Sequence, residues 1–265
     1  MSACKNWRKE NKGLDNSNST WIAFREKESP RHFASASCRF SHPRKRTSGK
    51  HIEAASAGVL PFARDPQSGV TFFLLGRERD RRNRHGISVW CDFGGGISHG
   101  ANSMVGASRE FAEETLGIVV GSGGNGASLE FVTEHSCTDQ PIRSMFGNAV
   151  PYDMYLIEIS YDGALPAKFH QRRDIAQSVK AREQLSHVLP RKAFSSSGRV
   201  TNSYLEKDCI AWVSLDNMFC YANKAWEESC IILRPEFAQT VNHFAWRIQD
   251  AVAKDPKKIM HALLE

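Results

Sequence analysis

Three glutamates, Glu110, Glu113 and Glu114, are the residues of this sequence best suited to do chemistry. If the segment is helical, their spacing places all three carboxylates on one face, about one turn apart. Like charges this close repel one another, and a hard divalent cation, which prefers oxygen ligands, would neutralise them. Arg109 can reach Glu113 one turn away and hold part of the cluster in place. The pattern therefore predicts a divalent-metal site on a helix.

A run of three glycines, Gly94, Gly95 and Gly96, lies upstream of these carboxylates. Glycine has no Cβ, so the backbone of such a run can approach a ligand or metal without obstruction by a side chain. The apolar segment 89–93 leads into the run and reads as a strand. We expect the glycines to form a turn between this strand and a helix over 105–116.

These residues together resemble the signature box of the Nudix hydrolases: Gly, five residues, Glu, seven residues, then Arg-Glu-hydrophobic-any-Glu-Glu-any-Gly-hydrophobic. The positions that match in register are Gly95, Arg109, Glu110, Phe111, Glu113 and Glu114. The resemblance implies that Glu110, Glu113 and Glu114 bind Mg²⁺ or Mn²⁺. It also implies that the Gly95 carbonyl joins them and that Arg109 belongs to the catalytic machinery.

The sequence departs from the box at two places. Ala101 stands where the box has its first glutamate, which in the family helps to position the arginine and the catalytic helix. Two residues, Thr115 and Leu116, separate Glu114 from Gly117 where one is usual. The first change predicts slower turnover rather than a different fold. The second alters only the helix exit, where Gly117 suits a left-handed cap.

A general base or further metal ligand is expected from outside the box. Some family members carry a glutamate six residues before the tryptophan of a late strand, and Glu206 precedes Trp212 by that spacing. An exposed glutamate in a polar loop is the other interpretation of Glu206. Asp174 and Glu183 are competitors for the same role.

Three arginines ahead of the glycine run, Arg77, Arg79 and Arg84, are candidate ligands of substrate phosphates. A guanidinium group offers two parallel donors to phosphate oxygens. A solvated basic loop is the alternative for each of them. Trp90 and Phe93 fit either a stacking role against a base or a place in the core.

The net charge of +6 is unevenly distributed. Residues 1–50 contain 12 Lys or Arg and 4 Asp or Glu, whereas the remainder carries a small excess of acidic residues. Because 1–50 also lack apolar periodicity, we expect a basic, largely disordered tail followed by one domain over 51–265. The basic run 43–46 reads as a nuclear-localisation or phosphate-binding patch, or as part of a solvated tail.

The seven cysteines are scattered without a Cys-x-x-Cys pair, which favours reduced thiols in a cytoplasmic or nuclear protein. Four acidic residues within 1–50 weaken a mitochondrial transit peptide, which remains an alternative. No segment approaches the roughly 18 consecutive apolar residues of a membrane span, so no membrane partner is expected.

The predicted elements favour an α/β fold of the Nudix type, an α/β/α sandwich around a mixed β-sheet. The expected strands are 54–62 and 70–75, forming a hairpin, then 129–135, 154–159 and 210–215. Residues 163–200 read as a basic, polar insertion, and 235–252 as one long amphipathic helix with an apolar stripe.

The resemblance implies metal-dependent hydrolysis of a pyrophosphate bond in a nucleoside diphosphate linked to another group. One alternative is an RNA 5′-end pyrophosphohydrolase or decapping activity, with the tail and the insertion binding RNA. Another is a nucleotide-binding module of the same fold that has lost turnover, motivated by Ala101. A nucleotide-type small molecule is the expected partner in the first and last cases, and the oligomeric state stays open.

Overall fold

The computed structural model describes residues 54–82, 86–121, 124–138, 140–146, 150–223 and 231–253. The predicted tail 1–50 and the candidate ligand Arg84 lie outside these ranges. Among the described residues, none of the helices has the length and apolar character that crossing a membrane requires.

A seven-stranded mixed sheet is the centre of the described chain. The strands are β1 (Ser56–Arg64), β2 (Thr71–Arg82), β3 (Ser88–Cys91), β4 (Phe93–Gly96), β5 (Ile142–Phe146), β6 (Val150–Glu158) and β7 (Lys207–Ser214). The main path runs β3-β2-β1-β6-β5, while β4 pairs with β1 and β7 pairs with β2. The β1–β6 pair is parallel and the other pairs are antiparallel, so the sheet is mixed.

Helices cover both faces of this sheet. They are α1 (Ser103–Glu114), α2 (Gly124–Glu134), α3 (Leu165–Gln177), α4 (Ala181–Leu185), α5 (Leu215–Asn223), α6 (Pro235–His243) and α7 (Ala245–Ala253). Residues of α1–α4 share one buried core, and residues of α5–α7 share the other. The predicted α/β/α sandwich with a mixed sheet is therefore confirmed.

Strand β1 shows why two cores form. It is buried along almost its whole length, as expected for a central strand covered on both faces. Successive side chains point to opposite faces of a sheet. Accordingly, Ala57 and Val59 belong to the core under α1–α4, whereas Leu60 and Phe62 belong to the core under α5–α7.

The structure differs from the sequence prediction at several elements. The segment 129–135, predicted as a strand, lies mostly in α2. The buried α2 residues Ser128 and Val132 are one helical turn apart. The predicted long helix is two helices, because Phe244 leaves helical geometry with φ −109° and ψ 19°. Its apolar stripe is nonetheless buried at Phe237, Val241 and Ile248.

The glycine run is the third difference. Gly94–Gly96 form strand β4 rather than a turn, paired antiparallel with the start of β1. The segment 163–200 consists largely of α3, α4 and one short 3₁₀ helix (Arg191–Ala193), and α3 buries Leu165, Phe169 and Ala176 in the sheet core. Strand β5 and helix α5 were not predicted.

Candidate active site

Helix α1 packs directly over strand β4. Asn102 caps the helix by accepting a hydrogen bond from the Val105 amide at 2.8 Å. Phe111 is fully buried and meets the Phe93 ring edge-on, with 5.6 Å between the ring centroids. These contacts fix the helix so that the glutamates at 110 and 114 face β4.

The glycines of β4 are needed for this approach. A Cβ at Gly95 would lie 2.5 Å from Glu110 Oε1 and 2.6 Å from its Cδ. A Cβ at Gly94 would lie 2.6 Å from the Cα of Gly58 on β1. Gly95 therefore makes room for a carboxylate, whereas Gly94 makes room for the neighbouring strand. We call Gly94–Gly96 the glycine strand.

Glu114 is hydrogen-bonded to the glycine strand. It is 1% exposed, and its Oε2 accepts a hydrogen bond from the Gly94 amide at 2.8 Å. Its Oε1 lies 3.2 Å from the Lys207 ammonium nitrogen. Burial raises the pKa of Glu114, Lys207 opposes that rise, and the negative charges of Glu110 and Glu206 add to it.

Arg109 holds the other two glutamates. It donates to Glu110 Oε1 at 2.6 Å and to Glu113 Oε2 at 3.1 Å, the latter being the predicted contact one turn away. It also donates to the Gly96 carbonyl at 2.8 Å, which ties α1 to the glycine strand. Burial raises the pKa of Glu110, and Arg109 opposes the rise.

Glu113 has a different environment from its two neighbours in the box. Besides Arg109, its carboxylate binds the Lys192 ammonium at 3.3 Å. It lines a small pocket of about 20 Å³ together with Gly117 and Tyr204. The prediction that Glu113 binds a metal stays a prediction, and in this arrangement its two carboxylate oxygens accept from Arg109 and Lys192.

A polar cleft of about 1040 Å³ opens over the glycine strand. The carboxylates along it outnumber the cationic side chains, which favours a positively charged ligand or the metal complex of a phosphate. The carboxylates are Glu78, Asp80, Glu114, Glu206 and Glu236, and the cations are Arg79 and Arg234.

The outlying acidic candidates are placed as follows. Glu206 is exposed and lines the cleft, and its negative charge raises the pKa of both Glu110 and Glu114. Asp174 and Glu183 are exposed on α3 and α4. Of these three residues, Glu206 is the one that the structure brings to the box glutamates.

The two described arginines of the predicted phosphate site lie in different places. Arg79 lines the cleft, where it donates to Asp80. Arg77 binds Asp208 at 2.6 Å, and its guanidinium group lies 5.8 Å from the centre of the Trp90 ring. Trp90 and Phe93 are both buried in the core.

Two cationic residues of the site, Arg234 and Lys207, were not predicted from the sequence. Arg234, just before α6, lines the cleft and binds Glu78 at 2.9 Å. Lys207, at the start of β7, is 2% exposed. A lysine beside a polar loop reads as solvated, and nothing in the local sequence indicates that its side chain turns inward.

The helix exit shows the effect of the extra residue in the box. Leu116 has φ +53° and Gly117 has φ +65°. Their amides bond back to the carbonyls of Glu113 at 3.1 Å and Ala112 at 2.8 Å, which is the Schellman arrangement. Leu116 thus occupies a left-handed position that usually falls to glycine, at a cost of about 1–2 kcal/mol.

The fit of this site to a divalent cation is partial. Within the residues that the structure describes, no three His, Cys, Asp or Glu side chains are close enough to hold a metal ion together. Two observations favour a cation all the same. The Glu110 carboxylate lies against the Gly95 backbone where a Cβ would block it, and Glu110, Glu114 and Glu206 repel one another. Hard oxygen donors carrying excess negative charge suit Mg²⁺ or Mn²⁺.

Searches with protein-family models and against curated proteins find no match for this sequence. Among solved structures, the chain is similar to a C. elegans Ap4A hydrolase binary complex (12% identity, 74% of this chain and 98% of that one, TM-score 0.38). It is also similar to a MutT/nudix family protein from Enterococcus faecalis (9%, 79% and 71%, TM-score 0.41). A third is the NUDIX domain of Shewanella oneidensis NrtR complexed with ADP ribose (11%, 75% and 90%, TM-score 0.38). Similarity this low leaves the interpretation of the site to its own residues.

Proposed function

We propose that this chain is a Nudix hydrolase that uses Mg²⁺ or Mn²⁺ to hydrolyse a pyrophosphate bond in a nucleoside diphosphate linked to another group. One observation carries the proposal: Glu110 and Glu114 are held against the glycine strand, and this strand and Glu114 line a large polar cleft. The volume of about 1040 Å³ is sufficient for a nucleotide derivative.

Glu110, Glu114 and the Gly95 carbonyl would hold the cation, and Glu206 would face it from the wall of the cleft. A bound divalent cation neutralises phosphate charge and lowers the pKa of a water molecule. Glu113 contributes through Arg109, whose guanidinium group it shares with Glu110.

The remaining work falls to side chains of the cleft. Arg79 and Arg234 would bind phosphate oxygens, because both line the cleft and guanidinium groups recognise phosphate in a bidentate way. Glu206 is exposed and able to accept a proton from the attacking water. Attack on one phosphorus breaks the phosphoanhydride P–O bond and releases two phosphate monoesters.

A nucleotide-binding module without turnover is the second candidate. Ala101 provides no carboxylate, and each box glutamate already has a cationic protein partner: Arg109 for Glu110 and Glu113, and Lys207 for Glu114. RNA binding is a further alternative, and it rests on basic residues of 1–50 and 163–200 rather than on the cleft.

The test is a substrate panel of nucleotide sugars, dinucleoside polyphosphates, ADP-ribose, NADH and capped RNA, incubated with Mg²⁺ or Mn²⁺. Under the proposal, at least one small substrate is hydrolysed and Glu110→Gln reduces kcat at least about 100-fold. Glu130→Gln, an exposed glutamate on α2, is the matched control and should stay within about twofold.

Three outcomes separate the candidates. Nucleotide binding without hydrolysis of any compound supports the binding module. Turnover confined to capped RNA, with affinity that falls steeply with salt, supports the RNA activity. Turnover that survives Glu110→Gln contradicts the assignment of the site.

A further inference from the structure

Lys207 is a buried ammonium group directly beneath the glutamates of the site. Its side chain is 1% exposed, and its Nζ lies 3.2 Å from Glu114 Oε1 and 3.1 Å from Cys91 Sγ. Glu78 Oε1 is 3.7 Å away. An ammonium group removed from water needs a close anionic partner, and Glu114, itself 1% exposed, is the nearest carboxylate.

An irregularity in the sheet turns this side chain inward. Along β2 and β7, Gly76 pairs with Ile210 and Arg77 with Cys209, but Glu78 then pairs with Lys207. Asp208 is the extra residue of a β-bulge, and it binds Arg77. The bulge reverses the alternation of the strand, so that Lys207 faces the same side as Ile210, towards α1.

Gly76 gives the lysine stem its path. A Cβ on Gly76 would lie 2.8 Å from Lys207 Cδ and 3.0 Å from its Cγ and Cε. The methylene chain therefore runs across the face of β2 at the one kind of residue that leaves room for it. The bulge at Asp208 and the absence of a side chain at Gly76 together allow the Lys207 ammonium group to reach Glu114.

We propose that Lys207 is a resident counter-ion of Glu114: its ammonium group neutralises, before any cation binds, a carboxylate that the divalent cation would otherwise neutralise. The site is therefore assembled without metal, and an incoming cation competes with the ammonium group for Glu114. This inference rests on the proposed function, because it concerns the same metal site.

Lys207 acts through Glu114 rather than on substrate, so it is a positioning residue. The cleft is lined by Glu114 but not by Lys207. Lys192 offers a contrast, because it also pairs with a box glutamate but has a side chain that is 54% exposed. Water screens the Lys192 pair, whereas the Lys207 charge acts in a buried environment where its effect is much stronger.

The experiment measures Mn²⁺ affinity by calorimetry, and thermal unfolding in EDTA and in Mn²⁺, for the full chain. In Lys207→Met, the unbranched stem is kept and the charge is lost. We expect Mn²⁺ to bind at least about tenfold more tightly, because a unit charge about 3 Å from a ligand oxygen no longer competes. Lys180→Met, an exposed lysine at the start of α4, controls for net charge and should change affinity less than about twofold.

The double variant Lys207→Met/Glu114→Gln shows whether the effect passes through Glu114. Its Mn²⁺ affinity should be no higher than that of the wild type. If Lys207→Met alone does not fold, the double variant still decides: its folding identifies the unpaired Glu114 charge as the cause and supports the inference, whereas failure of both overturns it.

The remaining outcomes distinguish this inference from the proposed function. Wild-type protein that binds Mn²⁺, with Lys207→Met binding equally or more weakly, overturns the inference and leaves the proposed metal site standing. Absence of Mn²⁺ binding in both proteins overturns the metal site and the inference together. An equal gain in Lys180→Met would assign the effect to net charge and overturn the inference alone.

Discussion

The three glycines of β4 allow a test in which neighbouring positions have different expected outcomes. A Cβ at Gly95 would lie 2.5 Å from Glu110 Oε1, whereas a Cβ at Gly96 would have no neighbour within 4 Å. At Gly94 the Cβ would meet backbone of β1, with the Ala57 carbonyl oxygen at 2.7 Å. Gly95→Ala therefore tests the site, and Gly94→Ala tests the fold. Gly96→Ala is the comparison in which the added methyl group meets no protein atom.

The expected size of the Gly95→Ala effect follows from this geometry. The Glu110 carboxylate must retreat by roughly 0.9–1.5 Å, from 2.5 Å to an ordinary contact of 3.4–4 Å, which disturbs its bond to Arg109. A displacement of about 1 Å at a reacting centre costs about 100-fold in rate, so we expect kcat/KM to fall by roughly that factor. Because the end of a flexible side chain can move, the free energy of unfolding should drop by only about 1 kcal/mol.

The assay combines kcat/KM on the substrate found in the panel, Mn²⁺ affinity, and thermal unfolding. Gly96→Ala should reduce kcat/KM much less than Gly95→Ala, because its Cβ would meet no protein atom within 4 Å. Gly94→Ala should lose about 3 kcal/mol or more of stability, because backbone on both strands must separate. Equal activities for Gly95→Ala and Gly96→Ala would refute the placement of Glu110 against the glycine strand.

Two further predictions concern the departure from the box and the metal. Ala101→Glu should raise kcat with little change in KM, since a glutamate there would act on the position of Arg109 rather than on substrate binding. Steady-state kinetics of the variant and the wild type test this. A slower variant would indicate that Glu206 already fills the role. EDTA should abolish turnover while lowering Tm by less than about 2 °C, because Arg109, Lys192 and Lys207 already pair the box glutamates. A large fall in Tm on chelation would show that the cation, rather than these side chains, holds the site together.

Sequence patterns correctly predicted the elements whose local pattern of apolar and charged residues matches their burial in the folded chain. The strands at 54–62 and 210–215 overlap β1 and β7, because their apolar runs are buried in the sheet. Helix α1 was placed within two residues at each end, since the spacing of its charges is itself helical. For α2, Leu129, Phe131 and Val132 suggested a strand, but within 126–134 the fully buried residues are Ser128 and Val132, at helical spacing.

The site was only partly predictable for a related reason. Contacts within α1, such as Arg109 with Glu113, follow from helical spacing. The different environments of Glu113 and Glu114 do not follow from this spacing. Glu113 pairs with Lys192 and Glu114 with Lys207, and these two lysines come from different distant segments. Sequence spacing within one element carries no information about which charges other elements bring to it.

The bulge at Asp208 determines which face of β7 each of the residues before it occupies, and therefore which charge lies beside Glu114. If β7 ran on regularly past Cys209, Asp208 would face α1 and Lys207 would face the opposite core. A slip of one residue in this strand would therefore place a negative charge, instead of a positive one, beneath Glu114. Loss of the bulge with no change in strand length would thus change the sign of the charge beside the end of α1 while every residue of the box stayed the same.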